Sequence, residues 1–336
     1  MVLPPPLVPR IDARMITLKT VRVERFAVDG SFIISRGAKT EVDVVYCEVT
    51  DGAHVGRGEG TPIYYEGETA ELCAEAIEMR AKQNRPLTRE DLLKTMMEGA
   101  ARNALDAALW DLEVQATGKP LWQLANLPEP RPLVTAYTIS LNDPETMKAD
   151  ARKAAAKGYP LLKLKLNGED DLLRVAAVRI GAPDARLIID ANEAWEEVDL
   201  VEMTAALKKL GVELIEQPVE AGFEDDLEGV RSALPFCADE SCHVAEDIER
   251  VAGMFQAVNI KLDKAGGLTE ALRLSEAAKA RGLKTMIGCM LSTSLGIHPA
   301  FHLAQTADWV DLDGPALLQA DRAGGFRFDG GRISLP

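Results

Sequence analysis

The first third of the chain has the hydrophobic pattern of strands followed by helices. Residues 42–49 (VDVVYCEV) are rich in β-branched side chains and predict a strand, with residues 16–28 as its partner. Longer stretches with helical spacing follow, and Gly118-Lys119-Pro120 ends the last of them. The helices are predicted over residues 69–83, 88–97 and 98–115. This order is typical of an α+β domain.

From Leu133 onwards, short apolar runs alternate with amphipathic helices. Glycines at 158, 211 and 282 stand where helices should end. Short buried strands joined by helical crossovers require a parallel sheet, and eight such units predict a (β/α)8 barrel. The eight runs are 133–139, 161–165, 186–190, 213–216, 235–239, 257–261, 284–288 and 308–311.

The two patterns divide the chain into two domains. Residues 1–130 are predicted to form the α+β capping domain, beginning with a proline-rich leader at 1–14. Residues 131–321 are predicted to form the barrel, and residues 322–336 are too short for another unit, so we expect them to return and complete the first domain.

Composition and charge narrow the function. With 38 basic and 53 acidic residues the formal net charge is −15, which disfavours binding to nucleic acid or to an anionic membrane. We expect no membrane span and no secretory signal. The five cysteines form no CxxC pair, which favours reduced thiols and a cytoplasmic location. The oligomeric state stays open, a homo-oligomer included.

Charged residues recur at the carboxyl ends of the predicted strands, where barrel enzymes place their reacting groups. Strand 2 carries Lys163 and Lys165, and Lys264 follows strand 6. Strands 3, 4 and 5 end in carboxylates, at Asp190, Glu216 and Asp239.

This register predicts a metal site between two bases. Three adjacent carboxylates repel one another unless a hard cation lies among them, and oxygen-only ligation favours Mg2+. Strands 2 and 6 are opposite in a ring of eight, so Lys165 and Lys264 should face each other across whatever the metal holds. The cation and the neighbouring Lys163 would favour the neutral amine that a base requires.

These motifs together resemble the enolase superfamily, in particular its muconate-lactonizing subgroup, over essentially the whole chain. The resemblance is carried by Lys163-Leu-Lys165, Asp190-Ala-Asn192, Glu216-Gln-Pro218, Asp239-Glu-Ser241 and Asn259-Ile-Lys-Leu-Asp-Lys264. It implies Mg2+ on Asp190, Glu216 and Asp239, with Lys165 and Lys264 as the acid/base pair. Lys163 would assist electrostatically, and Asn192 would support the metal ligands.

The substrate is indicated by the last predicted strand, which ends in Asp311-Leu-Asp313 and lies opposite strand 4. Two acids at the end of the substrate remote from the metal suit an ammonium group, although either acid could instead cap the following turn. The pair is similar to the one with which dipeptide epimerases hold the substrate's amino terminus. A dipeptide therefore fits, with the α-carbon of its second residue between the lysines.

The second residue of that dipeptide is less well defined. Resemblance to epimerases of the L-Ala-D/L-Glu type, and so to murein peptide metabolism, implies that Arg36 binds a glutamyl carboxylate, unless it is a solvated loop residue. Glu66 stands where a basic residue is expected, which leaves a hydrophobic dipeptide open. N-succinylamino acid racemisation, o-succinylbenzoate formation and cycloisomerisation would use the same lysines. A Schiff-base lyase or a non-catalytic barrel are rivals of other classes.

Overall fold

The computed structural model describes residues 16–336, so the predicted leader at 1–14 lies outside the described part. The chain begins with an antiparallel sheet in the order β1–β2–β3, formed by Thr17–Ile34, Gly37–Thr50 and Val55–Gly60. The predicted strand pair is confirmed, and both strands are longer than the segments predicted from the sequence, 16–28 and 42–49. Apolar side chains of β2 are buried because one face of the sheet packs on helices.

Four helices follow the sheet. They are α1 (Ala70–Ala81), α2 (Arg89–Thr95), α3 (Ala100–Thr117) and α4 (Leu121–Leu124). The Thr69 and Thr88 side chains cap α1 and α2 by accepting backbone N–H groups, and Gly118 ends α3 in the left-handed conformation. The three predicted helices are thus present, with ends shifted by one or two residues.

A row of glycines brings β3 against α3. A Cβ atom on Gly56, Gly58 or Gly60 would clash with a backbone carbonyl oxygen of α3. The three carbonyls belong to residues one helical turn apart, namely Ala100, Ala104 and Ala108. Strand and helix therefore meet backbone to backbone, and no larger residue fits on that face of β3.

Eight parallel strands, β5 to β12, then form one sheet in sequence order. The first and last strands also meet, since the Ala136 N–H, one residue before β5, donates to the Val310 carbonyl of β12 at 2.8 Å. The structure is therefore the predicted (β/α)8-type barrel with an α+β capping domain. The strands are Tyr137–Ile139, Leu161–Lys165, Arg186–Asp190, Val212–Glu216, Phe236–Ala238, Ala257–Lys261, Lys284–Gly288 and Trp309–Asp311.

The barrel helices cover this sheet, and the left-handed glycines at 158, 211 and 282 each lie two residues beyond the end of a helix, as expected. The helices are α5 (Pro144–Ala156), α6 (Asp171–Gly181), α7 (Leu200–Lys209), α8 (Ile248–Val251), α9 (Leu262–Ala265), α10 (Leu268–Ala280) and α11 (Ser294–Leu303). Of the helices in residues 16–336, none has the length and apolar character that crossing a bilayer requires.

The barrel interior has an apolar cluster, with one buried residue from each strand or its immediate start. Its members are Ala136, Leu161, Ile188, Leu214, Cys237, Ala257, Met286 and Trp309. Charged residues follow further along the same strands, because side chains of one face recur every second position. The cluster thus forms a dry floor beneath a charged layer.

The predicted first barrel strand, 133–139, is interrupted. Leu133–Val134 forms β4, which pairs with the carboxyl-terminal hairpin of β13 (Arg327–Asp329) and β14 (Arg332–Ser334). The interruption arises because the Thr135 N–H bonds to Gly331 of that hairpin, whereas the next N–H bonds into the barrel.

The final residues were expected to complete the capping domain. The hairpin pairs with β4, at the amino-terminal end of the first barrel strand, and Arg322 contacts Glu24 and Glu59 of the capping sheet. The predicted boundaries at 130 and 321 remain a proposal.

Candidate active site

Three carboxylates converge at the carboxyl ends of adjacent strands. Asp190 pairs in register with Glu216 across β7 and β8, and Asp239 directly follows β9. One oxygen atom of each carboxylate lies within 4.8 Å of the other two, and all three residues are almost fully buried. The sequence-predicted triad is thus brought together.

The two predicted acid/base lysines contact opposite members of this triad. Lys165 at the end of β6 lies 2.6 Å from Asp190 Oδ2. Lys264 lies 2.7 Å from Asp239 Oδ1, and its ammonium also donates to the carbonyls of Cys242 (2.9 Å) and Asn259 (3.2 Å). Lys264 stands on the short helix α9, beyond the end of β10. The two ammonium groups therefore reach the triad from different sides.

Lys163 is the most heavily paired cation in the site. Its Nζ lies 2.6 Å from Glu216, 2.8 Å from Asp311 and 3.2 Å from Asp190. Burial would lower the pKa of Lys163, but the surrounding carboxylates raise it well above its usual value. Lys163 is therefore a fixed positive charge.

A fourth lysine was not assigned from the sequence. Lys261 lies 2.6 Å from Asp239 Oδ2, and Asn259, two residues earlier on β10, donates to Glu216 Oε1 at 2.8 Å. The strand period of two was the signal that could have found them, because it turns residues 259 and 261 toward the same barrel interior.

The electrostatics of the triad fit a bound cation. Burial, followed by the charge of Asp190, raises the pKa of Glu216 to about 8, whereas nearby lysines hold that of Asp190 at about 2 despite its burial. Glu216, beside a charged Asp190, thus resists ionisation unless further positive charge is added. The donor set of oxygens alone suits Mg2+, so Asp190, Glu216 and Asp239 would hold it.

Strained backbone lies beside the triad. Asn192, Glu193 and Gln217 all have positive φ, at 43°, 68° and 34°. Asn192 donates its backbone N–H to Asp190 Oδ1 at 2.9 Å, while its own side-chain oxygen is buried without a partner. Gln217 was not singled out in the sequence either. Its side-chain oxygen accepts the Asp239 N–H at 2.8 Å and so holds the backbone that carries the Asp239 carboxylate. Strain of this kind is common at functional sites.

Asp311 and Asp313 lie on the far side of the site, both nearly buried. Asp311 pairs with Lys163 through one oxygen, and its other oxygen has no hydrogen-bond partner. Asp313 accepts the Thr138 N–H at 2.7 Å, and burial together with Asp311 raises its pKa to about 7. A cavity of about 30 Å3 separates these acids from Lys165 and Lys261.

The hairpin between β1 and β2 closes the barrel mouth. Phe32 lines the small cavity, the Ile33 carbonyl accepts the Leu141 N–H, and Ser35 donates to the Asn192 carbonyl. Arg36 pairs with Glu193 and with Glu240, the latter at 2.7 Å. A cavity this small holds no dipeptide, so residues that line it have to move before a substrate can bind.

The neighbouring capping loop, residues 62–66, places Tyr64 and Tyr65 near Arg36 and leaves Glu66 exposed. The Arg36 guanidinium lies 5.1 Å from the centre of the Tyr65 ring. A larger cavity of about 740 Å3 lies elsewhere, between the capping domain and α11, and includes none of the lysines or triad residues.

Comparisons with known proteins agree with this geometry. Residues 15–125 match the mandelate racemase / muconate lactonizing enzyme N-terminal domain, and residues 146–336 match the enolase C-terminal domain-like family. The chain belongs to the enolase superfamily.

Individual members of the superfamily resemble the chain closely. L-Ala-D/L-Glu epimerase of Escherichia coli is 40% identical over 95% of this chain and 100% of its own length. N-acetyl-D-glutamate racemase of a Pseudoalteromonas species is 42% identical over 74% of this chain and 78% of its own. An enolase family member from Agrobacterium tumefaciens with homology to dipeptide epimerases, solved with bound sodium and L-Ala-L-Glu, shares 45% identity. Its TM-score is 0.91, over 96% of this chain and 98% of its own.

Proposed function

We propose that the protein is a Mg2+-dependent dipeptide epimerase that inverts the α-carbon of the second residue of an L-Ala-D/L-Glu-like dipeptide. The observation that carries the proposal is the buried carboxylate triad with one lysine at Asp190 and another at Asp239. Similarity over the full length to the Escherichia coli epimerase supports the substrate class.

The reaction is a 1,1-proton transfer at a carbon beside a carboxylate. One of Lys165 and Lys264 removes the α-proton as a neutral amine, and the other, as an ammonium, returns a proton to the opposite face. Loss of the proton gives an enolate with two negative charges. Mg2+ on the triad would supply the positive charge that stabilises it.

The remaining cations and the dry floor support the same step. Lys163 is a permanent positive charge 2.6 Å from Glu216 and stabilises developing negative charge nearby. Asn192 fixes Asp190 through its backbone N–H. The apolar cluster beneath the charged layer excludes water, and low polarity strengthens each of these interactions.

The far end of the cavity would bind the amino terminus of the substrate. Asp311 retains an unpaired oxygen and Asp313 has one backbone donor, so both can accept hydrogen bonds from an α-ammonium. Arg36 would bind the acidic side chain after leaving Glu240 and Glu193. Because Glu66 is exposed, solvent screens its charge from an acidic second residue.

Exchange in D2O tests the proposal. Dipeptides differing in the second residue are incubated with the enzyme, with Mg2+ or with a chelator, and examined by mass spectrometry and chiral analysis. We expect a gain of one deuterium at the second α-carbon, abolished by the chelator. Lys165→Ala and Lys264→Ala should each abolish epimerisation. Trapping of substrate on either lysine by borohydride would instead establish a Schiff-base enzyme.

The similarity to N-acetyl-D-glutamate racemase favours a second candidate, racemisation of an N-acylated amino acid with the same lysines. An acylated nitrogen carries no positive charge, so it makes no use of Asp311 and Asp313. Alanine at both positions should abolish dipeptide turnover. If the double variant keeps that activity, or if N-acetylglutamate is the better substrate, the acylamino acid reaction replaces the proposal.

We further propose that the enzyme acts in the cytoplasm on peptides released from murein. The support is the dipeptide chemistry together with five unpaired cysteines, which suit a reducing compartment. Growth of a deletion strain on L-Ala-D-Glu as sole source of glutamate tests the pathway.

A further inference from the structure

The short turn that carries Lys264 is held by the capping domain as well as by the barrel. We call residues 262–266 the lysine turn. Its Asp263 side chain accepts two hydrogen bonds through Oδ1, from the Thr61 N–H at 2.9 Å and from Asn103 Nδ2 at 2.7 Å. Both donors belong to the capping domain. All three groups are buried, so these bonds do not compete with water.

Arg102, the residue before Asn103 on α3, binds the other end of the turn. Its guanidinium donates to the Ala265 carbonyl at 2.7 Å and to the Gly266 carbonyl at 3.1 Å. These are carbonyls at a helix end, which need donors from outside the helix. Gly266 has φ +70°, and a Cβ atom there would clash with the Arg102 guanidinium. The glycine is therefore required for the contact as well as for the turn.

One helical turn further along α3, Asp106 fixes the start of the next barrel helix. Gly267 at the beginning of α10 has no side chain to cap it, and Asp106 accepts the Thr269 N–H at 3.0 Å in its place. Trp110 Nε1 donates to the Thr269 hydroxyl at 3.0 Å. One face of α3 thus binds the chain immediately after Lys264 over two helical turns.

We propose that α3 is a positioning element for Lys264, in which Asn103 and Arg102 set the turn so that the ammonium reaches one face of the substrate carbon. The proposal rests on the acid/base role given to Lys264 above. Lys165 is carried by β6, whose backbone is held on both sides within the sheet, and makes no use of this device. Loss of the contacts between α3 and the lysine turn should therefore impair proton transfer on one face of the substrate carbon alone.

The stereochemistry of exchange tests this. The L- and D-forms of the second residue present their protons to different lysines, and Lys264→Ala identifies which form each serves. In Asn103→Ala and Asp263→Ala we expect exchange of the form served by Lys264 to fall about 10- to 100-fold, because misplacement by about 1 Å costs that much. Exchange of the other form should stay within about threefold, and KM within about twofold.

Two further variants separate position from charge and from general destabilisation. Asp263→Asn keeps an oxygen that accepts both hydrogen bonds and should restore the exchange that Asp263→Ala loses. Arg322→Ala breaks another contact of the capping sheet, the partly buried pair with Glu59, that does not touch the lysine turn. It should lower thermal stability without changing the ratio of the two exchange rates.

Backbone hydrogen exchange provides a readout that needs no substrate. The N–H groups of Gly266 and Gly267 both bond within the turn to the Leu262 carbonyl. They should lose protection at least tenfold in Asn103→Ala and not in Arg322→Ala. The proposal is overturned if protection of these N–H groups is unchanged in Asn103→Ala, or if exchange of the L- and D-forms falls equally. It is also overturned if Arg322→Ala changes the ratio of the two exchange rates in the same way. If Lys264→Ala itself affects both stereoisomers alike, the acid/base assignment is what fails.

Discussion

Replacing Lys163 with methionine would remove a buried cation from among three carboxylates while nearly keeping its volume. The side chain is 2% exposed, and its ammonium lies 2.6–3.2 Å from Glu216, Asp311 and Asp190. Removing one partner of a buried pair costs about 3–5 kcal/mol, because the other charge is left without compensation. We expect Lys163→Met to lose that much stability in a chelator, and to lose epimerisation as well.

Urea unfolding followed by circular dichroism measures the effect. Lys153→Met is the matched control, since Lys153 forms an exposed pair with Asp150 at 2.9 Å, and exposed pairs contribute about 0–1 kcal/mol. Mg2+ should recover part of the loss, because a ligand at 100 times its dissociation constant adds about 2.7 kcal/mol.

A double variant tests whether uncompensated negative charge causes the loss of stability in Lys163→Met. Lys163→Met with Asp311→Asn removes one of the uncompensated charges and should be more stable than Lys163→Met alone. A loss of less than about 1 kcal/mol for Lys163→Met, or one equal to that of Lys153→Met, would refute a tightly coupled charge network in the barrel mouth.

Three other predictions follow from single features. Burial lowers the pKa of His302 to about 3 and also lowers that of His298, so the unfolded chain takes up protons below pH 6.5 that the folded chain does not. Stability should therefore fall as pH drops from 6.5 towards 3. The slope of Tm against pH should be smaller in His302→Gln than in the wild type. Equal slopes would contradict a lowered pKa of His302 in the folded protein. Arg36→Gln should raise KM at least tenfold for a dipeptide ending in glutamate and less than threefold for one ending in leucine; equal effects would leave Arg36 without a role in selectivity. Gly58→Ala should cost about 1–3 kcal/mol or more through overpacking against α3, whereas Gly253→Ala, where a Cβ atom meets nothing, should be nearly neutral in chemical denaturation.

The charged layer of the barrel was predictable because it follows from strand register alone. Asp190 and Glu216 are paired residues of neighbouring strands, so their spacing in sequence was enough to bring them together. The break at Thr135 was not predictable, since an uninterrupted apolar run does not show that its first two residues bond to a hairpin nearly 200 positions later. Long-range pairing of this kind leaves no local pattern.

Side-chain partners were harder to predict than positions. Arg36 was expected to bind substrate or solvent, and in the closed site it pairs with Glu193 and Glu240. Asp311 was placed correctly in the fold, but its contact with Lys163 depends on how far two side chains reach across the barrel. Gln217 was passed over because a neutral side chain between a triad carboxylate and a proline has no charge pattern to mark it.

The glycine row of β3 bears on how such an enzyme could be re-engineered. Because α3 packs on β3 through backbone atoms, the helix cannot tilt or slide to accommodate new side chains without losing this close packing. Substitutions introduced along α3 would therefore disturb the lysine turn before they altered substrate choice. Residues of the hairpin between β1 and β2 carry no such restriction, so libraries aimed at new dipeptides belong there.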